Sequence, residues 1–367
     1  MTIGIGLIGY GGIGRLHALC LRMLPLCYPD LPPIRLVAVQ TASASSAARV
    51  RQELGEDVIA TTSLHDLLAN PDIQVIDCCA PTGDHAAIAL ASFAASKAFF
   101  CEKPLAGSLD EAEGIVAAAE MAGCAGGVNF HFRQVPALQE ARRLVSNGLL
   151  GEPIGFHLRY YRSSNLKRDR PITWRFRGPG SGVLVDLGAH MIDQLLTLLG
   201  PVAWLSARTR ILVPERRGPD GTPVAVESDD VAWLNVGMAN GAVGSIEVSK
   251  LVPGASDDLR IEVYGSGGSL LYDSRDPNTL TVVEGANSTS ERRLLTLSRT
   301  QPAASLPAGD TPAGVLNWHM ASLYAFLRAY HSGKEPSPSL IDGLEVDRVI
   351  AVALRSAAHA GQIEVLD

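Results

Sequence analysis

Two aspartates and a histidine recur at helical spacing within residues 183–199, and this combination can transfer a proton. Asp186, His190 and Asp193 stand at positions i, i+4 and i+7, so a helix would present them on one face. Imidazole is a suitable base near neutral pH, and a carboxylate one turn away can orient it. The pattern predicts that Asp186 and His190 are catalytic and that Asp193 supports them. The alternative is a solvated helix face.

A lysine at a strand end is the next candidate. Lysine is scarce in this chain, and Lys103 follows an apolar run, 98–101, and precedes Pro104. This position predicts a side chain at the carboxyl end of a parallel sheet, where open α/β folds bind ligands. An ammonium there could stabilise a developing alkoxide. The alternative is an ion pair with Glu102.

A basic and aromatic stretch, 159–177, leads into the Asp186 segment. It contains seven basic residues, four aromatic residues and one acid (Arg159, Tyr160, Tyr161, Arg162, Lys167, Arg168, Asp169, Arg170, Trp174, Arg175, Phe176 and Arg177). Such a mixture can bind nucleic acid, line a sugar site or form a solvated loop. Its place before Asp186 favours a substrate mouth, with Trp174 and Arg175 as the predicted contacts.

A glycine-rich turn near the start of the chain predicts a dinucleotide site. Its cofactor-contacting residues would be Gly9, Gly11, Gly12, Ile13 and Gly14, in the pattern G-x-G-x-x-G. The first glycine permits the turn, the second admits a pyrophosphate and the third allows helix–strand packing. An ordinary glycine turn is the alternative, but the flanking strand and helix favour the cofactor.

The second strand ends without the acid that usually binds the adenosine ribose. Thr41 stands at that position and is followed by serines. Without a repelling carboxylate, we expect NAD or NADP to be accepted. His17 and His85 lie near predicted helix N-termini, where a charged imidazole is disfavoured, and we expect them to line the cofactor site. The remaining histidines that show no partner pattern are interpreted as structural or surface residues (His131, His157, His319, His331 and His359).

Composition narrows the class of protein. The chain has 367 residues, 47% of them hydrophobic, and a net charge of −7. This argues against disorder and against a nucleic-acid partner. No apolar stretch is long enough for a membrane helix, and the six cysteines have neither metal spacing nor need of a disulfide framework. We expect a cytoplasmic protein with free thiols and no metal.

The pattern of predicted elements indicates an α/β protein with two domains. In the first part, apolar runs alternate with helical segments, which predicts a doubly wound parallel sheet in a Rossmann domain, residues 1–128. Pro25 and the pair Pro32-Pro33 should end the first helix. Longer strands with turn residues follow, which predicts a second α/β domain, 129–367, with a large open, mostly antiparallel sheet. Residues 301–313 are expected to form a surface loop.

Five motifs, in order along the chain, give the sequence a family resemblance. They are Pro81-Thr82-Gly83-Asp84-His85, Cys101-Glu102-Lys103-Pro104-Leu105, the segment 180–193 around Asp186 and His190, the segment 258–270, and Pro338-Ser339-Leu340-Ile341-Asp342-Gly343. Together they resemble the Gfo/Idh/MocA family (glucose–fructose oxidoreductase, inositol dehydrogenase and rhizopine-catabolism proteins).

The resemblance implies a hydride-transferring enzyme. Family members mostly oxidise or reduce sugars and cyclitols with NAD or NADP, and they form dimers or tetramers through the second sheet. It places Lys103, Asp186 and His190 at the substrate, and Pro81, Thr82, His85, Glu102 and Lys103 at the cofactor. Two alternatives are an NAD-dependent glycosidase that oxidises its substrate transiently, and a sensor that binds dinucleotide and sugar without turnover.

Overall fold

The chain folds into two compact units. The computed structural model describes residues 2–286, 288–296 and 314–366. One unit comprises the residues up to 134 together with 314–345, and the other comprises 135–296 together with 346–366. The predicted loop at 301–313 lies outside the described residues.

The first unit contains a parallel sheet of six strands, as the alternating pattern predicts. The strands are β1 (Ile3–Ile8), β2 (Ile34–Gln40), β3 (Ile59–Thr61), β4 (Val75–Cys78), β5 (Ala98–Glu102) and β6 (Gly126–Asn129), in the spatial order β3-β2-β1-β4-β5-β6. The intervening helices are α1 (Gly12–Cys27), α2 (Ala44–Leu54), α3 (Leu64–Ala69), α4 (His85–Ala94) and α5 (Leu109–Ala122). This is the doubly wound order, with β1 at the point where the chain changes direction.

One helix boundary differs from the prediction. Pro25 lies inside α1, which continues to Cys27, so Pro25 does not end the helix. Proline removes one backbone donor. Since only two helical residues follow, this loss is confined to the final turn, where the Tyr28 N–H still donates to the Leu24 carbonyl.

The second unit is built on a mixed sheet of nine strands. Its longer strands and first helices are α6 (Pro136–Ser146), β7 (Pro153–Tyr161), α7 (Ala189–Leu199), β8 (Val202–Arg210), β11 (Val231–Met238), β12 (Val243–Ser249), β13 (Asp258–Gly265), β14 (Gly268–Asp273), β15 (Thr279–Glu284) and β16 (Glu291–Leu295). A separate two-stranded ribbon pairs β9 (Glu215–Arg217) with β10 (Pro223–Ala225). Neighbouring strands of the large sheet run antiparallel, except that β7 and β12 are parallel.

The chain's last helices complete both units. They are α8 (Val315–His331) and α9 (Leu340–Ala358), and the short strand β17 (Glu364–Val365) pairs with β8 at the edge of the second sheet. The full spatial order of that sheet is β16-β15-β14-β13-β7-β12-β11-β8-β17. The fold is therefore α/β, with a Rossmann sheet and a large, mostly antiparallel sheet, as the sequence predicts.

The division of the chain differs from a single boundary at residue 128. Helix α8 belongs with the first unit because its apolar face packs into that unit's core. Tyr324 stacks on Tyr28 with 4.0 Å between ring centroids, and Phe326 lies 4.8 Å from Phe100. The predicted domain 129–367 is thus too inclusive, since residues 314–345 pack with the N-terminal unit.

Candidate active site

The segment that carries Asp186 is a π-helical turn rather than regular α-helix. Residues Leu184–Gly188 form this turn and α7 begins directly after it. Asp229 holds its start, since one carboxylate oxygen accepts the Leu184 N–H at 2.9 Å. Burial raises the pKa of Asp229 to about 6, against the opposing effect of that hydrogen bond. A wider helical turn often marks a functional position, because it changes the direction of one side chain relative to the next.

Within this segment the polar side chains differ in exposure. His190 and Asp193 are buried, and Asp193 accepts a hydrogen bond from the Gln194 amide at 3.0 Å. The side chain of Asp186 is 32% exposed. The stripe is therefore not a solvated helix face, and Asp186 is its most accessible member.

Asp186 has a cationic neighbour that sequence reasoning missed. The Lys250 Nζ atom lies 2.5 Å from an Asp186 carboxylate oxygen, and the lysine side chain is only 9% exposed. Lys250 directly follows β12, whereas the loop after β7 begins at Arg162. Because β7 and β12 are parallel neighbours, their carboxyl ends deliver both residues to the same edge of the sheet.

A pocket of about 230 Å³ opens beside this ion pair. Its lining residues are Arg162, Ser164, Asn165, Arg170, Arg175, Phe176, Asp186 and Lys250. The basic stretch thus contributes three arginines to a concave, polar site that also contains a predicted catalytic carboxylate. Arg175 lines it as predicted for a substrate contact. Trp174 is outside the lining set, 40% exposed, and its ring lies under the Arg175 guanidinium at 4.3 Å.

Buried polar residues hold the basic loop in place. Arg216 is 2% exposed and donates to the carbonyls of Asn165 at 3.0 Å and Lys167 at 2.8 Å. The Asn165 amide donates to Asp230 at 2.9 Å. The Arg216 guanidinium also lies 4.3 Å from the centre of the Phe176 ring. These contacts fix the backbone from which the pocket arginines project.

The glycine turn in the first unit has the shape of a phosphate cradle. Gly9 adopts φ +88°, and a Cβ on Gly14 would lie 2.0 Å from the Gly9 carbonyl, so both positions need glycine. A Cβ on Gly11 or Gly12 would meet nothing within 4 Å. The turn therefore places the first N–H groups of α1 beside open space, which suits a pyrophosphate. The geometry at Gly9, Gly11, Gly12 and Gly14 suits the predicted cofactor, and the contact with Ile13 stays a prediction.

Thr41 occupies a different environment from the one that its predicted role requires. Its side chain is 1% exposed and its hydroxyl donates to the Ser43 carbonyl at 3.0 Å. Exposed serines follow β2 at Ser43 and Ser45, and Ser43 caps α2 by accepting the Ser46 N–H. A polar contact between a cofactor ribose and this strand end would more readily use the serines.

His85 bridges two loops of the first unit. It is 1% exposed, with one ring nitrogen 3.1 Å from the Ala80 carbonyl and the other 3.1 Å from the Pro104 carbonyl. Burial lowers its pKa, although these carbonyls oppose that effect. His85 therefore links the loop at Ala80, just before Pro81 and Thr82, to the turn that contains Lys103 and Pro104. The Thr82 side chain is buried.

Glu102 belongs to a buried polar network that joins distant parts of the first unit. His17 places Nδ1 3.0 Å from Asp77 and Nε2 3.2 Å from Glu102. The Asn129 amide donates to Glu102 at 2.6 Å and to His319 Nδ1 at 2.9 Å. His17 donates from both ring nitrogens when it is the cation, and His319 Nδ1 accepts from Asn129 when His319 is neutral.

Burial and neighbouring charges shift the pKa values of the groups in this network. Burial by itself lowers the pKa of His17, but the charge and hydrogen bond of Asp77 raise it well above its ordinary value. Burial would raise the pKa of Glu102, yet the hydrogen bond from His17 and adjacent positive charge lower it to about 2. Burial lowers the pKa of His319 to about 4. The raised pKa of His17 contradicts the expectation that a charged imidazole is disfavoured there, and at 0% exposure its side chain is enclosed. His319, interpreted from the sequence as a structural or surface residue, is buried and structural.

The fold also brings together potential metal ligands that are far apart in sequence. His17, Glu102 and His319 form one group, and His17, Asp77 and Cys79 form another. Sequence spacing gave no signal for either, because the ligands come from different strands and helices. Hydrogen bonds among these side chains already use most of their ligand atoms.

Two features of the sequence, the scarcity of lysine and the position at a strand end, could have identified Lys250. The scarcity of lysine and a position at a strand end drew attention to Lys103, and Lys250 shares both properties. By contrast, the connection of His17 to His319 spans 302 positions and has no local signature. Lys103 lies at the end of β5 in the first unit, while Asp186 and His190 lie in the second.

Comparison with known families decides the class of protein. Residues 3–130 match the family described as oxidoreductase family, NAD-binding Rossmann fold, and residues 138–271 match the GFO/IDH/MocA C-terminal domain. The chain belongs to the Gfo/Idh/MocA oxidoreductase family. Residues 3–130, within its first unit, are the NAD-binding Rossmann domain of that family.

Full-length relatives share this architecture. An oxidoreductase domain protein from Kribbella flavida is 33% identical, with a TM-score of 0.92 over 100% of both chains. A levoglucosan dehydrogenase from Pseudarthrobacter phenanthrenivorans is 28% identical over 99% of this chain and 98% of its own. A levoglucosan dehydrogenase structure with NADH and levoglucosan gives a TM-score of 0.93 at 27% identity, covering 100% of both chains.

Family membership establishes an oxidoreductase with an NAD-binding domain. An inositol 2-dehydrogenase from Rhizobium meliloti is also similar, with 26% identity over 100% of both chains. These relatives are named for dehydrogenation of a sugar derivative or a cyclitol, which gives no support to the glycosidase alternative. Among the described residues, no helix is long and apolar enough to cross a membrane.

Proposed function

We propose that this Gfo/Idh/MocA oxidoreductase transfers a hydride between NAD and a carbinol carbon of a sugar, sugar derivative or cyclitol. The observation that carries the proposal is the pocket in which Asp186 faces arginine and lysine side chains, in a chain whose glycine turn fits a dinucleotide. A polar, concave site of this size suits a small polyhydroxylated molecule.

Three side chains would perform the proton chemistry. A nicotinamide cofactor, held by the glycine turn, would supply the hydride acceptor. His190 takes the hydroxyl proton, Asp186 orients and balances the imidazole, and Lys103 stabilises the negative charge that develops on the carbinol oxygen. Lys250 holds the Asp186 carboxylate in position. Arg175 contacts the substrate, and Trp174 supports Arg175 by stacking.

The cofactor contacts extend the glycine turn. We propose that Pro81, Thr82, Glu102 and Lys103 lie along the cofactor, and that His85 fixes the two loops that contain them. NADP is proposed as an alternative cofactor, because the end of β2 offers exposed serine hydroxyls and Thr41 in place of a repelling carboxylate. The ratio of kcat/KM for NAD and NADP measures this preference.

Two further proposals concern the assembly and its setting. We propose a homodimer or homotetramer that packs through the large sheet, whose outer face exposes apolar side chains such as Trp233 (39%) and Tyr264 (38%). All six cysteines are free thiols, which supports a reducing, cytoplasmic location. Sedimentation equilibrium determines the number of subunits.

Formation of NADH with a panel of sugars and inositols tests the function. Lys103→Ala and His190→Ala should each lower kcat by roughly 10²-fold or more while the cofactor still binds. His331→Ala, which changes an exposed histidine, is the matched control for His190. Near-normal turnover in either variant would contradict the catalytic role proposed for the substituted residue. Binding of cofactor and sugar without turnover would favour the sensor alternative.

A further inference from the structure

The pocket beside Asp186 has an excess of positive charge. Arg162, Arg170, Arg175 and Lys250 contribute four cations, and Asp186 is the carboxylate among the lining residues. Lys250 is paired with Asp186 at 2.5 Å, and Arg162 lies 3.6 Å from Asp257. In the part of the chain that the structure describes, no carboxylate forms an ion pair with Arg170 or Arg175.

These two guanidiniums have only neutral contacts. Arg170 points toward the Ser164 carbonyl at 3.5 Å and the Asn165 side-chain oxygen at 3.4 Å. Arg175 lies over the Trp174 ring at 4.3 Å. Both therefore keep most of their hydrogen-bonding capacity for another molecule, since a guanidinium carries five N–H donors.

Holding these charges together is unfavourable without a ligand. Burial lowers the pKa of Arg170, and the positive charges of Arg175 and Arg162 lower it further, while the charge of Asp186 partly opposes them. The loop cannot easily swing away to relieve the repulsion, because the buried Arg216 fixes its backbone at Asn165 and Lys167. An anion bound between the arginines would offset this repulsion.

We propose that the substrate of this pocket is an anionic sugar or cyclitol, whose carboxylate or phosphate group is bound by Arg170 and Arg175. The proposal rests on the proposed function and narrows its substrate class. Planar guanidiniums recognise both groups through paired hydrogen bonds. A neutral sugar would leave the half-buried Arg170 without a charged ligand and would gain no ionic contact with the more exposed Arg175, so the pocket should favour an anion.

Matched neutral and anionic hexoses test this inference. NADH formation would be measured with glucose, glucuronate and a phosphorylated glucose. We expect kcat/KM for the preferred anion to exceed that for glucose by about tenfold or more, as for a hydrogen bond to a charged group. The KM for the anion should rise with salt concentration. The uronate and phosphate arms identify which anion the arginines bind.

Charge-removing variants assign the preference to these residues. Arg170→Gln and Arg175→Gln should abolish the preference for the anion, because each should lower kcat/KM for the anion much more than kcat/KM for glucose. Arg168→Gln removes the same charge from an exposed position of the same loop and should leave the preference intact. Arg170→Lys retains the charge, and partial rescue would show that Arg170→Gln does not merely loosen the loop.

Three results separate this inference from the proposed function. Equal turnover of neutral and anionic sugars would overturn the inference while leaving the oxidoreductase activity intact. A weaker affinity for NADH in the Arg170 and Arg175 variants, with no change in the KM of the anion, would also overturn it. If no sugar is oxidised, calorimetry with glucuronate and the cofactor-loaded protein still tests the inference. Glucuronate binding that is lost in Arg175→Gln would support the inference. If glucuronate does not bind to the wild type, the inference is contradicted.

Discussion

At the scale of single residues, the two units use buried charge in different ways. In the first unit, a histidine cation is enclosed by the carboxylates of Asp77 and Glu102, so each charge has a partner. In the second, Lys250 pairs with Asp186 at the wall of a pocket, while among the described residues Arg170 and Arg175 form no ion pair with a carboxylate. Enclosed charge pairs specify structure, whereas cations that face a cavity are available to a ligand.

The buried histidine should be important for stability. His17→Ala would leave Asp77 and Glu102 buried without their cation, and we expect the free energy of unfolding to fall by about 3–5 kcal/mol. Chemical denaturation measures this value, with His331→Ala as an exposed control. A loss below about 1 kcal/mol would contradict a charged His17.

The difference in the free energy of unfolding between wild type and His17→Ala should become smaller both at low pH and at high pH. Glu102 has a lowered pKa, so its contribution is present above its ordinary value of 4.5 and is lost as the pH falls toward 2. His17 has a raised pKa, so its contribution is present below 6.5 and is lost as the pH rises through its higher folded value. Denaturation curves across this range should therefore show the largest difference near neutral or mildly acidic pH, and a constant difference would be inconsistent with this ionisation.

Lys250 should act through the carboxylate that it contacts. Lys250→Met removes the charge 2.5 Å from Asp186 but keeps a side chain of similar length. We expect kcat to fall by about tenfold or more and the pH profile of kcat to shift, because the ionisation of Asp186 loses its nearest cation. Lys250→Arg should restore part of the activity. An unchanged pH profile in Lys250→Met would limit Lys250 to a structural role.

At the scale of elements, strand ends and helix starts position the site. The glycine turn joins β1 to α1, and Lys103 follows β5. In the second sheet, the parallel pair β7 and β12 brings the basic loop and Lys250 to one edge. An antiparallel pairing of these two strands would have put their carboxyl ends at opposite edges.

The start of α1 gives a direct test of the cofactor site. Gly11→Val would project a side chain into open space, so the protein should fold, but that space is where a pyrophosphate approaches. We expect the Kd for NADH to rise by about 10- to 100-fold in calorimetry, through loss of charge-assisted hydrogen bonds. Gly114→Val, at another unobstructed glycine within α5, is the control. Equal affinity in Gly11→Val and wild type would place the cofactor elsewhere.

Most helices and strands were predictable because hydrophobic periodicity and turn residues lie within the element that they specify. Periodicity and turn residues predicted both sheets, and motif spacing selected Asp186, His190 and the glycine turn as candidates, whose roles stay predictions. The π-helical turn at Leu184–Gly188 was not predictable in this way, since it depends on Asp229, a residue far along the chain that caps it. The network from His17 to His319 and the pairing of Lys250 with Asp186 also require the folded chain, because sequence spacing carries no record of long-range contacts.

At the scale of the whole molecule, α8 is needed to complete the core of the first unit. Met320, Leu323 and Phe326 are nearly inaccessible and join residues of α1 and β5 in one apolar cluster. Without α8, this apolar surface would face water, at a cost of about 25 cal/mol for each Å². His319 also lies on α8 and would be lost from the buried network.

A fragment that ends at residue 134 should therefore fold poorly. We expect it to bind a hydrophobic dye and to lack a cooperative thermal transition, unlike the full chain. The single change Leu323→Ala in the full chain should cost about 2–5 kcal/mol, as for other buried leucines. A cooperative transition in the fragment, with NADH-dependent stabilisation, would contradict the requirement for α8.

The late position of α8 has a consequence for biosynthesis. Ribosomes release the strands of the Rossmann sheet first, but the helix that covers one part of its core emerges only after all strands of the second sheet except the short β17 have been made. The nascent N-terminal unit must wait through roughly 180 residues of elongation, about 10–40 s at common translation rates. During this interval its apolar surface is a natural binding site for chaperones, and slower elongation would prolong that exposure.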